Sequence, residues 1–422
     1  MRSARSVERG FFPLDERLEL LPGSLTPHTH ECLVRLGAWI PFEPAAQLLG
    51  EMLGVRFSKS LAVRHTEAAG AAYVRLQTQE ASRIEREAPP APAGADKMVM
   101  SVDGAMIPLR QGEWAEVKTL VIGEAQPPVL EKGEPVVHTR GLSYFSRLVD
   151  AEQFEHLTLV EMYRRGVENA CEVAAVMDGA DWEQGFVDYH CPQAIRILDF
   201  PHAGQRIGQV GQALLGEENP ETKSWIAERL HQLKHQGPEG ILSEFRLLNQ
   251  QHPDLKVIAE NLAYLDKREA QMHYPQFQAQ GWPIGSGIVE SGNKLVVEVR
   301  MKGAGMHWER GNVNPMLGLR NIVCSDRWSE EWPLIARQLC REAREHRNQN
   351  REKRRLAKSP TPPEAPQIAP PVEEVWELPS KTQEILPQEP TSTGSRKPAA
   401  NHPWRHSPIG RALYEPSKNA KY

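Results

Sequence analysis

Five short apolar runs, set apart by amphipathic stretches in a fixed order, constrain the fold of this chain more than any other feature. Lys97 to Val102 (KMVMSV) is the first, and Trp114 to Ile122 (WAEVKTLVI) alternates as a half-buried strand does. Glu134 to Arg140 is the third candidate strand. Glu172 to Met177 (EVAAVM) has the unbroken apolar character of a strand buried on both faces, and Ala194 to Leu198 (AIRIL) is the fifth. An amphipathic helix over roughly Asp150 to Asn169 separates the third run from the fourth, and a short helix around Glu183 to Tyr189 separates the fourth from the fifth. Three strands, a helix, a strand, a helix and a strand make an α/β order.

The flanks differ in character. Residues 1–87 predict a small helical domain: Pro44 to Leu53 has helical apolar spacing, Gly54-Val55 breaks it, and Ser58 is placed to cap a second helix through Tyr73. That is the rhythm of a helix-turn-helix, whose second helix would carry Lys59, Arg64 and His65 toward a DNA major groove. Two short helices joined by a glycine also occur in many helical domains that bind nothing. Residues 88–96 (APPAPAGAD) predict a linker. Residues 97–330 would then form the catalytic core, with a helical insertion at about 205–280, followed by a basic helix over 331–358. After Ser359 the chain is rich in Pro, Glu, Ser and Lys, so 359–422 is expected to be a disordered tail.

Bulk properties exclude several classes. No apolar run approaches the roughly 20 residues of a membrane span, which leads to the expectation of a cytoplasmic protein. The five cysteines are widely spaced and contain no CxxC pair, against both a disulfide framework and a structural zinc site. A net charge of −5 does not mark a nucleic-acid binder, yet it hides the basic run Arg337 to Lys358 (RQLCREAREHRNQNREKRRLAK).

The chemistry concentrates in three places. Two predicted strands end in Asp-Gly-Ala, at Asp103 and at Asp178, where a carboxylate at a strand's carboxyl end meets the edge at which α/β sheets collect ligands. Asp-Gly is also an ordinary turn signal. The third place is Gly281 to Trp308, where Gly285-Ser286-Gly287 leads into a helix over Ile288 to Arg300 with Glu290 in its first turn. Asn293 and Lys294 lie one turn on, and Arg300, Lys302 and Arg310 follow. Three carboxylates suit two Mg²⁺ ions, which favour hard oxygen ligands, keep several waters, and together can activate an attacking oxygen and stabilise a leaving one. Asp199, also at a strand end, competes with Asp178 for the second position. Glu298 has apolar neighbours that suit structural pairing, and His202 could orient a phosphate or water or be a hydrogen-bonded core histidine.

The segment GSGIVESGNKLVVEVRMKGAGMHW resembles a block of the ISKra family of bacterial insertion-sequence transposases, and SVDGAMIP, VMDGADW and RILDFPHA resemble its other blocks in the same order, from about Phe12 to Trp328. The resemblance implies an RNase H-like catalytic core with a helical insertion, in which Asp103, Asp178 and Glu290 are the catalytic and metal-binding acids. It implies Mg²⁺ (or Mn²⁺) as cofactor, two ions in all, with transposon terminal inverted repeats and target DNA as partners, and a homo-oligomer that joins two ends on the bacterial chromosome. Lys59, Arg64, Lys294, Arg300 and Lys302 are the candidate DNA contacts. Relatives often carry a Cys-containing lead-in before the counterpart of Pro13 to Gly23, which this chain lacks, so either a reading frame that starts late or a shortened N-terminus is expected. A DNA-binding remnant without activity, or a metal-dependent nuclease, are the other readings.

Overall fold

The computed structural model describes residues 25–358 apart from Lys132, with the backbone alone for 355–358; the expected tail and the start of the chain lie outside these residues. A five-stranded mixed sheet is the centre of the molecule. β1 (Lys97–Pro108) and β2 (Trp114–Ala125) form a long antiparallel hairpin; a small two-stranded ribbon follows, β3 (Val129–Glu131) with β4 (Glu134–Val136). β5 (Thr139–Arg147), β6 (Glu172–Met177) and β7 (Ile195–Leu198) complete the sheet, in the order β5-β2-β1-β6-β7. The β1–β6 and β6–β7 pairs are parallel, so the α/β class expected from the order of runs is present. The third expected strand is displaced. Glu134 to Val136 belongs to the ribbon, and the sheet takes Thr139 to Arg147 instead. Ser143 to Arg147 are buried throughout, whereas Glu134 to Val136 are exposed or half-buried and have no apolar face to lay against the core.

The helices in chain order are α1 (Pro27–Trp39), α2 (Phe42–Leu53), α3 (Lys59–Glu87), α4 (Ala151–Arg164), α5 (Asp181–His190), α6 (Phe200–Leu215), α7 (Pro220–Gln236), α8 (Glu239–Gln251), α9 (Lys256–Asp266), α10 (Tyr274–Ala279), α11 (Gly287–Gly292), α12 (Arg310–Cys324) and α13 (Trp328–Lys358). Because successive strand residues alternate faces, β1 splits its side chains. Met98, Met100 and Val102 join Phe154 of α4 and Phe186 of α5 on one side. Val99, with Val176 and Ile197, meets Ile207, Phe245 and Leu262 of α6, α8 and α9 on the other. The segment expected as an insertion is therefore one of the sheet's two covers. Farther along the second face, Ala105, Ile107 and Val117 pack with Val289 and with Met316 of α12. No helix among the described residues is long and apolar enough to cross a membrane.

The N-terminal helices begin as the sequence suggests. Gly54 closes α2 in the left-handed conformation, and the Ser58 side chain accepts from the Leu61 N–H at the start of α3. The second helix, however, runs past Tyr73 to Glu87 and buries one face in the molecule. Ala69, Ala72 and Tyr73 pack with Leu319 and Ile322 of α12 and with Trp332 and Ile335 of α13. His65 does not face outward for DNA: it is buried, 3.1 Å from His30 on α1. The Ala-Pro linker is fastened too, with Asn169 donating to the carbonyls of Ala91 and Pro92 and the Tyr163 hydroxyl donating to that of Pro90. The basic helix begins at Trp328, where Trp328 and Trp332 are buried; from Arg344 to Arg354 it is exposed.

α3 and α12 approach so closely at Gly70 that a Cβ there would lie 2.6 Å from the Pro315 carbonyl carbon and closer still to its oxygen. The neighbour is backbone and cannot rotate away, so Gly70→Ala is expected to cost about 2 kcal/mol. Urea unfolding would measure this, and an unchanged midpoint would mean that the two helices slide freely.

Candidate metal centre

The parallel pairing of β1 with β6 is last seen at Met100 opposite Ala175, and the Ser101 hydroxyl donates to the Val176 carbonyl just beyond. Asp103 and Asp178 each lie three residues past that last pair. β6 and β7 pair through Met177 opposite Leu198, so Asp178 and Asp199 each follow by one. The three aspartates stand at one level of three adjacent strands, on the face of Val99, Val176 and Ile197. Asp103, expected at a strand end, lies within β1, which continues to Pro108. It is exposed to ligands because β6 stops beside it.

Asp103 is held at both oxygens. The Gly104 N–H donates to Oδ1 at 2.6 Å, and Nδ2 of Asn293 donates to Oδ2 at 2.9 Å. Asp178 does make the turn that Asp-Gly predicts. Its Oδ1 accepts from the Ala180 N–H at 2.7 Å, and Gly179 has φ +88°, where a side chain would also collide with Arg268 and Tyr264. Those two residues, one in the last turn of α9 and one just past its end, fix the turn: the Tyr264 hydroxyl donates to the Asp178 carbonyl, and the Arg268 guanidinium donates twice to that of Gly179, with its Nε at 2.9 Å.

The third member of the cluster is Glu183, in the first turn of α5. Its Oε2 accepts from the Gly179 N–H at 3.1 Å, as a capping glutamate does. Oxygens of Asp103, Asp178 and Glu183 all lie within 4.8 Å of one another, and the group could hold a metal ion. Burial, opposed by the Gly104 N–H and reinforced by the Asp178 carboxylate, pushes Asp103 up to about 6. Burial, the Asp178 charge and a hydrogen bond to Asp178 push Glu183 well above the usual carboxylate range. The donors are oxygens only, which fits Mg²⁺ or Mn²⁺ better than a thiophilic ion.

Asp199 stands next to this cluster, outside it. Its Oδ1 accepts from the Ser286 N–H; its Oδ2 accepts from the His202 N–H at 3.0 Å and pairs with His202 Nδ1 at 2.6 Å. Although burial is the largest single effect and raises it, the His202 hydrogen bond and the two N–H donors together hold Asp199 below the usual range. His202 is raised, first by its bond to Asp199, against burial, and then by the charges of Asp178 and Asp103. An imidazole whose protonated form is favoured, fixed by one aspartate, therefore stands beside two others.

Glu290 lies on an exposed face and pairs with Lys294 at 2.6 Å. It is not part of the three-carboxylate cluster, but Asn293, three residues on, is buried and reaches Asp103. The helix is irregular here. After Gly292 it widens into a π-helical stretch, Asn293–Glu298, and closes with Val299–Met301. Gly292 lets it lie against Val121 and Tyr144, and Arg320 donates to the carbonyls of Leu295 and Val296 and, at 3.3 Å, to that of Ala38 in α1.

Of the candidate DNA contacts, Arg300 is withdrawn from solvent. It is 1% exposed, donates to the Gly37 carbonyl, and lies over the rings of Phe42 and Trp308. Burial, with Arg320 nearby, lowers it to about 10. Lys302 pairs with Glu298 at 2.7 Å, the structural pairing expected of that glutamate. Lys59 and Arg64 are exposed, Lys59 near Glu43 at 3.8 Å. Comparison of the chain with protein-family models and with curated proteins finds no match.

The raised Asp103 carboxyl fixes a sign. Below about pH 4 it is protonated whether the chain is folded or unfolded; between about 4 and 6 only the folded state keeps the proton, so stability falls as pH rises. Above that window the penalty stays, on the order of 3 kcal/mol. In EDTA, Asp103→Asn should therefore be more stable than the parent at about pH 7.5 and no more stable at about pH 4. Urea titrations at the two pH values would measure this, and equal gains at both would disprove the electrostatic origin.

Proposed function

We propose that this chain is a DNA transposase of the DDE type, with an RNase H-like core, cutting at the ends of a mobile element and joining the freed 3′-hydroxyl to target DNA. The observation that carries the reading is the carboxylate cluster at the point where β1 and β6 part: Asp103 and Asp178, far apart in the sequence, share one corner with oxygens inside 4.8 Å. The sheet strands and helices follow one another as three strands, a helix, a strand, a helix and a strand, and this succession supports such a core. The resembling block GSGIVESGNKLVVEV, after the long helical cover, forms the helix that bears Glu290 and seats Asn293 on Asp103.

A pair of Mg²⁺ or Mn²⁺ ions held by Asp103, Asp178 and Glu290 would supply activation of the attacking oxygen and stabilisation of the leaving one. The protein's own part is to present the acids and hold them still. Gly104 and Asn293 orient Asp103, while Tyr264 and Arg268 fix the turn that carries Asp178. His202, braced by Asp199, offers a hydrogen-bond donor to a phosphate oxygen, and Lys294, Lys59 and Arg64 are exposed cations for the duplex beyond. Glu290 would exchange its Lys294 partner for an ion once DNA is bound. Two copies would act together, because two ends must be joined.

Strand cleavage on linear duplexes carrying the element's ends, with Mg²⁺ or Mn²⁺, tests this. Asp103→Asn, Asp178→Asn and Glu290→Gln should each lower the rate by roughly 100-fold or more, and His202→Ala by roughly 10- to 100-fold. Acid variants that cleave like the parent would falsify the assignment. Equal cutting of duplexes without the ends would point to a plain nuclease.

A further inference from the structure

Glu183 and the amide oxygen of Asn293 hold positions that the transposase reading does not use. One Glu183 oxygen caps α5 by accepting from the Gly179 N–H, and capping alone would explain a glutamate there. Capping does not require a side chain only 1% exposed, its carboxylate drawn against two other acids. Burying like charges together is costly unless a proton or a metal cation joins them.

Asn293 supplies a second and independent sign. It is 5% exposed, and its Nδ2 donates to Asp103, so the amide is aimed into the cluster. Its other atom, Oδ1, is buried and has no hydrogen-bond partner. A buried amide oxygen left unpaired is a liability, and on a side chain that already touches Asp103 it is a further hard oxygen donor of the kind Mg²⁺ and Mn²⁺ take.

We infer that the protein without DNA binds one divalent cation through Asp103, Asp178 and Glu183, with Asn293 Oδ1 as a further oxygen ligand, and that Glu290 is not required for this ion. The inference deepens the proposed function by dividing the labour of its acids. One site is complete in the free protein. Glu290, tied to Lys294, belongs to a second site that forms with the substrate.

Mn²⁺ binding to the full chain without DNA, followed by electron paramagnetic resonance, tests the division. Glu183→Gln is the informative variant, because glutamine still accepts from the Gly179 N–H and preserves the cap while losing the charge. It should weaken Mn²⁺ binding at least about 10-fold with an unchanged helical spectrum, and Asn293→Ala should weaken it by roughly 10-fold. Glu290→Gln should bind within about two-fold of the parent, well inside the 10-fold loss expected of a ligand change. Glu183→Asp keeps the charge but draws the carboxylate back, and should weaken binding as well, which guards against a Gln variant that fails to fold. Parent-like affinity in folded Glu183 or Asn293 variants, or an equal loss in Glu290→Gln, overturns the inference. Mn²⁺ bound in this way by a protein that cuts no DNA supports the inference while removing the transposase reading.

Discussion

Three carboxylates in one poorly solvated corner repel one another, and much of the local architecture can be understood as keeping them there. Folding alone gives no reason to gather Asp103, Asp178 and Glu183, because each would be better solvated apart. They are held by a dense set of donors: backbone N–H groups at Gly104, Ala180 and Gly179, and the amide of Asn293. Behind them, Tyr264 and Arg268 grip the carbonyls of Asp178 and Gly179, so α9 is needed for the geometry of a turn more than eighty residues earlier. A helical cover that looks from sequence like an insertion is a brace for the site.

How much of this could be read beforehand follows from the range of the forces involved. Strand runs ending near Asp103 and Asp178 were legible because burial on two faces leaves an apolar signature, and register then sets the acids side by side. The Ser58 cap and the Gly54 stop were legible because they are satisfied within a few residues. Glu183 carries no local signal: a glutamate in a helix's first turn is ordinary, and only its burial against Asp178, five residues back, makes it unusual. The third sheet strand was misplaced by a few residues because the ribbon of β3 and β4 borrows strand-like sequence. The length and burial of α3 were missed because small residues such as Ala69, Gly70 and Ala72 carry little hydrophobic signal, yet allow the closest packing.

Arginine placement was the least legible property. Basic residues after Glu290 suggest phosphate contacts, and position along the chain cannot distinguish the exposed Lys294 from the buried Arg300. Arg300 and Arg320 each take carbonyl partners on α1, through Gly37 and Ala38, and Arg320 also serves the widened turns of the helix that follows Glu290. These are contacts between segments more than 250 residues apart, beyond the reach of any local pattern.

The two guanidinium groups also decide where the molecule can be divided. Composition draws its clearest border at 88–96, and a modular protein could be cut there and given a different N-terminal part. Such a cut would strip α1 from two cations that have almost no access to water, leaving each with fewer partners, and would open the face of α12 that Gly70 covers. Exchange of the N-terminal helices at that border is closed to this chain: a new front end would have to bring its own carbonyls to the same two places.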